Sequence, residues 1–110
     1  MLQDFLAPDE NIRYRSPGTV EFAGDEYEFY ITDRRFVWYK REGLIFKKDK
    51  IIMHPLDQVK EIRYREAGIL RKKAIIEIWF SDKKHEFSGS LSTMRAIYSE
   101  MQVYMKPILS

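Results

Sequence analysis

The stretch Tyr30–Lys48, YITDRRFVWYKREGLIFKK, sets two aromatic runs around the charged turn TDRR. A second turn follows at Glu42-Gly43, then a bare apolar Leu44-Ile45-Phe46 and two lysines. Before TDRR, Tyr27, Phe29 and Ile31 alternate with Glu26, Glu28, Tyr30 and Thr32. After it, Phe36 and Trp38 oppose Val37 and Tyr39. A period of two is the mark of a strand with one face buried. The stretch therefore reads as a β-hairpin that leads into a basic mouth with an apolar tip.

The same period extends in both directions. Ile12, Tyr14, Gly18, Val20 and Phe22 share one face of a first strand, Ile12–Phe22, and Pro17 within it marks a bulge or an edge position because proline cannot donate to a ladder. AGDE (23–26) reads as a turn. Further strands are expected at Ile51–His54, closed by Pro55, at Val59–Arg65, at Ala74–Phe80 and around Phe87, with turns at Ala67-Gly68 and SDKK (81–84). From Ser90 the period changes. Leu91, Met94, Tyr98, Met101, Met105 and Ile108 follow at spacings of 3, 4, 3, 4 and 3, one stripe of a helix. That predicts a helix over Leu91–Tyr104, capped by Ser90 or Ser92 and ended near Lys106 by Pro107. The fold class is mainly β: seven antiparallel strands, with one amphipathic C-terminal helix that plugs the open core.

With 110 residues the chain is expected to form one domain, 1–110. Apolar residues make up 45%, enough for a core, and there is no cysteine, so disulfides, zinc–thiolate sites and thiol nucleophiles are excluded. MLQDFLAPDE lacks the pattern of a secretory signal, and no apolar run approaches the roughly 20 residues of a membrane span. The expected location is cytoplasmic, or peripheral at the inner face of the membrane. Charge is polarised. Residues 1–33 hold 2 basic and 8 acidic groups, 34–50 hold 7 and 2, 51–73 hold 6 and 3, and 74–110 hold 4 and 4. Pairing of oppositely charged strands on the outer face explains such polarity, and so does a basic surface for an anionic partner.

GLIFKKDKII (43–52) and GILRKKAII (68–76) echo one another: glycine, aliphatic residues, two lysines, paired isoleucines. This is one device used twice, with glycine supplying the turn and a strand leaving it. LAPDENI (6–12), YITDRRFVWY (30–39) and GLIFKKDKIIMHPLDQVKEI (43–62) resemble the pleckstrin-homology-like domains, particularly the prokaryotic and GRAM types, across roughly residues 6–105. The resemblance implies a strongly bent two-sheet sandwich capped by the helix. It also implies an order of loops. Lys40, Arg41, Lys47, Lys48, Lys50, Lys83 and Lys84 would gather at the open end, and Arg34 and Arg35 would approach Arg71, Lys72 and Lys73 at the other. Phosphoinositide-binding members carry basic residues around the first turn. Here that turn is EFAGDEYE (21–28), with Glu21, Asp25 and Glu26, which argues against an inositol-phosphate pocket.

No catalytic constellation is visible. His54 and His85 stand apart from any metal-binding spacing, and neither a phosphate loop nor a nucleophile elbow occurs. No cofactor or metal is expected. The leading reading is a non-catalytic module for protein–protein interaction or self-assembly. The alternative is a peripheral adaptor binding anionic headgroups through the basic loops, with Leu44, Ile45 and Phe46 either packed within their hairpin, the simpler expectation, or adding an apolar point. A third class, single-stranded nucleic acid stacked on Tyr39 and Trp79, is opposed by the net charge of +2 and the acidic first third.

Overall fold

The computed structural model describes residues 2–70 and 72–109, with side chains as far as Met105. Seven strands form where the alternation placed them: β1 Ile12–Phe22, β2 Asp25–Thr32, β3 Arg35–Glu42, β4 Lys48–Pro55, β5 Glu61–Ala67, β6 Lys73–Trp79 and β7 Lys84–Ser90. A short 3-10 helix, Leu56–Gln58, takes the chain from β4 towards β5, so the fifth strand starts at Glu61 and not at Val59. All pairings are antiparallel, in the order β4-β3-β2-β1-β7-β6-β5. Phe22 pairs with Asp25 across a two-residue turn in which Ala23 and Gly24 both have positive φ, 51° and 80°. That is the hand of turn that suits twisted hairpins.

The expected two-sheet sandwich is built from this one sheet folded over. β1 pairs with β2 along its length but with β7 only at Glu21↔Ser88 and Phe22↔Phe87. In a flat sheet β4 and β7 would lie four strand spacings apart, about 19 Å. The rings of His54 on β4 and His85 on β7 are centred 4.4 Å apart. Between the two inner faces lie Phe22, Phe29, Phe36, Trp38, Ile76, Ile78 and Phe87, all buried. Trp38 meets Phe22 at 4.5 Å and Phe87 at 5.3 Å between ring centres. The bulge at Pro17 is present: Arg15 to Thr19 on β1 faces only Tyr30 to Glu28 on β2. Ser16 Oγ replaces the missing ladder partner by accepting from Phe29 N at 3.1 Å.

The helix α1 runs from Leu91 to Leu109. Thr93 N donates to Ser90 Oγ at 3.4 Å, the expected cap. Met94, Met101 and Met105 are fully buried, Leu91 and Tyr98 pack at the margin, and the side chain of Ile108 lies outside the described residues. Ile97 belongs to the same buried face. The helix does not stop near Lys106. Proline removes one amide donor, and the three residues from Pro107 keep helical backbone without it. Tyr98 stacks on Tyr64 of β5 at 5.1 Å, and Tyr104 Oη donates to the Arg13 carbonyl at 3.3 Å, so α1 spans from the β5 side to the start of β1.

A second, smaller cluster lies on the outer face of β2–β4. The N-terminal 3-10 turn, Leu2–Phe5, lays buried Leu2 against Tyr30, Val37 and Tyr39, with Leu6, Ile51 and Met53 at the edge.

Candidate functional site

Residues 43–47 join β3 to β4. Carrying the Glu28↔Tyr39 register three steps on sets Asp25 level with Glu42, so the β3–β4 loop projects past the neighbouring β1–β2 turn. Among the described residues no side chain covers its apolar tip. Leu44, Ile45 and Phe46 are 98%, 85% and 83% exposed, which overturns the expectation that they pack within their hairpin. Gly43 has φ 105°, and a Cβ there would stand 2.3 Å from the Phe46 carbonyl oxygen, so only glycine fits the base of the tip. The echo at the β5–β6 loop has the same construction: Gly68 has φ 103°, and Ile69 and Leu70 are 95% and 97% exposed. The molecule thus carries two bare apolar tips, each followed by lysines.

The basic residues around the first tip divide into paired and unpaired. Asp25 accepts from Lys40 Nζ at 2.6 Å and from Lys50 Nζ at 3.0 Å. Those two hydrogen bonds hold its carboxyl far below the usual range. Lys40 also meets Glu42 at 3.1 Å, and the Arg41 charge acts on Asp4 and on Tyr39, whose hydroxyl donates to Asp49. Lys47 and Lys48 are exposed, and among the described residues neither forms an ion pair. Lys72 and Lys73 stand exposed beside the second tip; Arg71 lies outside the described residues.

The loop order implied by the resemblance does not hold in detail. Arg34 and Arg35 do not approach Lys72 and Lys73. Arg34 pairs with Asp9 at 2.5 Å, and Arg35 Nε donates to buried Glu10 at 3.0 Å, its Nη2 contacting the other carboxylate oxygen. Both arginines line a hollow of about 720 Å³ with Leu56 and Tyr104. Lys73 is opposite Ser90, at the other end of α1, roughly 21 Å away along the helix axis. The N-terminal acidic residues reach these arginines because the chain doubles back before β1, a contact invisible to local periodicity. Lys83 and Lys84 also leave the expected cluster. Lys83 sits over Phe80 and its charge acts on His54, about 20 Å along β4 from Lys48. Lys84 pairs with Glu86 at 3.1 Å.

The aromatic residues considered for base stacking are occupied. Tyr39 is buried beneath the N-terminal turn. Trp79 is held between Arg63 at 4.8 Å and Lys84 at 5.2 Å and donates from Nε1 to Glu77 at 3.0 Å. Among the described residues no three His, Asp or Glu side chains group to hold a metal ion. None of the described helices is long and apolar enough to cross a membrane. Among the described residues, no strand pairs with the outer edges of β4 and β5.

Seven antiparallel strands folded into a sandwich with one C-terminal helix are the fold of a pleckstrin-homology-like domain, and solved structures agree. A pleckstrin homology domain from Shewanella amazonensis SB2B superposes with TM-score 0.66 at 17% identity, over 94% of this chain and 91% of its own. A protein with a pleckstrin-homology domain from Shewanella loihica PV-4 gives 0.62 at 15%, over 94% and 86%. The hSac2 domain from the human phosphoinositide phosphatase Sac2 gives 0.66 at 9%, over 99% and 80%. No protein-family model and no curated protein matches the chain.

Proposed function

We propose that the chain is a non-catalytic binding module that adheres to anionic membrane surfaces through its two apolar-tipped, lysine-flanked loops, working from the cytoplasmic side. The observation that carries this reading is the exposure of Leu44, Ile45, Phe46, Ile69 and Leu70, each above 80%. Apolar side chains are ordinarily covered, and a bare cluster next to lysines suits the boundary between headgroups and acyl chains. Each buried tip residue contributes about 1.5–3 kcal/mol at full transfer, and each lysine near an anionic leaflet about 1 kcal/mol. Asp25 in the first turn already pairs with Lys40 and Lys50, so adhesion should show little headgroup choice and should weaken as salt screens it. Co-sedimentation with phosphatidylserine-containing and with neutral phosphatidylcholine vesicles, at low and high salt, tests this.

A second reading rests on a different observation. Among the described residues, both edge strands, β4 and β5, present backbone on the outside of the sheet that pairs with no other strand. Such edges pair with other strands, which supports a protein-interaction or self-assembly role. Light scattering on the purified chain separates the two: a stable oligomer without vesicle binding favours the second.

A further inference from the structure

The only two histidines meet across the seam between the halves of the folded sheet. His54 comes from the C-terminal end of edge strand β4, and His85 from the second position of β7. Their rings stack with centres 4.4 Å apart and planes at 30°. Aromatic rings wall the pair: Phe80 at 5.3 Å and Trp38 at 5.7 Å from His54, and Phe22 at 5.9 Å from His85. His85 Nε2 is buried without a hydrogen-bond partner among the described residues.

The charges around the pair are unfavourable to protonation. Lys83, on the β6–β7 turn, acts on both rings. Asp57, from the 3-10 turn after β4, and Asp82 line the adjoining hollow with Phe80 and Lys83, but neither hydrogen-bonds an imidazole among the described residues. Lys84 and Glu86, the neighbours on β7, pair with each other at 3.1 Å. Across the ladders the histidines face Phe36 and Ile78. Neutral imidazoles stack favourably here. Two protonated ones would set like charges in contact beside a lysine, without a counter-ion bound to either.

We propose that the His54–His85 stack is an acid-sensitive latch: uncharged, it holds β4 against β7; protonated, it releases β4 while the helix-covered strands stay paired. β4 is the element to go because, among the described residues, β3 is the one strand that pairs with its backbone, the Lys50–Asp25 side-chain bond to β2 lying at the far end from His54. Burial, then the charges of His85 and Lys83, lower His54 to about 4, and burial with Lys83 also lowers His85. Release therefore falls between the ordinary histidine value of 6.5 and about 4. This inference is independent of membrane adhesion, and its test uses no lipid.

The test is amide hydrogen exchange, corrected for intrinsic rates, at Ile51, Ile52 and Met53 of β4 and at Ile76 and Ile78 of β6, from pH 7 to 4.5, with the imidazole resonances titrated in parallel. The expected result is β4 exchange rising about tenfold or more relative to β6, the effect of one pKa unit of coupling, with both histidines titrating below 6.5. The double variant His54→Phe/His85→Phe keeps the ring packing and should lose the effect; if it fails to fold, His54→Phe alone serves. Equal acceleration in β4 and β6, an undiminished effect in the variant, or histidines titrating at 6.5 with β4 unchanged would overturn the latch.

Discussion

Replacing Glu10 by glutamine should destabilise the fold by about 2–3 kcal/mol at pH 7, although Glu10 lies outside every strand and the helix. Its side chain is fully buried, while Arg35 beside it is 27% exposed. The carboxylate accepts from Arg35 Nε at 3.0 Å, from Thr32 Oγ1 at 2.6 Å and from Ala7 N at 3.0 Å. The hydrogen bonds of Arg35 lead in holding its pKa at about 2, against an ordinary 4.5. A depression of that size corresponds to roughly 3 kcal/mol, and the partly exposed guanidinium reduces it. Because the folded-state value is depressed, the contribution is complete above pH 4.5 and is lost as pH falls towards 2. Urea denaturation of wild type and Glu10→Gln at pH 7 and at steps down to pH 2.5 reads both quantities. The variant should be weaker at pH 7 and should show a flatter acid limb. A loss under about 0.5 kcal/mol with an unchanged acid limb would refute the pairing as the anchor of the N-terminal turn, since surface substitutions alone give that much.

Two further substitutions test other parts of the structure. Met101→Asp sets an unpaired carboxylate in the fully buried face of α1 and should cost several kcal/mol, roughly 3–5, read as a lowered thermal midpoint; an unchanged midpoint would mean the stripe faces a partner instead. Asp25→Asn removes the charge that Lys40 and Lys50 share, leaving Lys40 only Glu42 as an ion-pair partner among the described residues, and should strengthen binding to anionic vesicles and steepen its salt dependence; no change in either would show that Asp25 does not restrain the basic loop.

What the sequence made legible was whatever repeats locally. Alternation located β1 to the residue, and the change of period at Ser90 located the start of α1. Ile97 was missed because a single 3-4 stripe is narrower than the apolar face of a helix packed on a sheet. Pro17 announced the bulge, but the part Ser16 plays in replacing the ladder bond depends on the partner strand. Charge pairing was legible only as polarity. Which lysines Asp25 takes, and that Glu10 claims Arg35, follow from register and from a segment doubling back, neither of which leaves a periodic trace. The exposure of Leu44–Phe46 was misjudged for a related reason. An apolar run is normally read as packed, and only the length of the β3–β4 hairpin relative to the β1–β2 turn shows that no described residue covers it.

The most direct test of the central claim is vesicle co-sedimentation of the wild type against Leu44→Ser/Ile45→Ser/Phe46→Ser, with folding checked by circular dichroism. Wild type should bind phosphatidylserine-containing vesicles at low salt and release them at high salt. The tip variant should remain folded, because its three side chains touch no core, and should lose most of that binding. Undiminished binding by the variant, or no binding by the wild type at low salt, would contradict membrane adhesion through the tips.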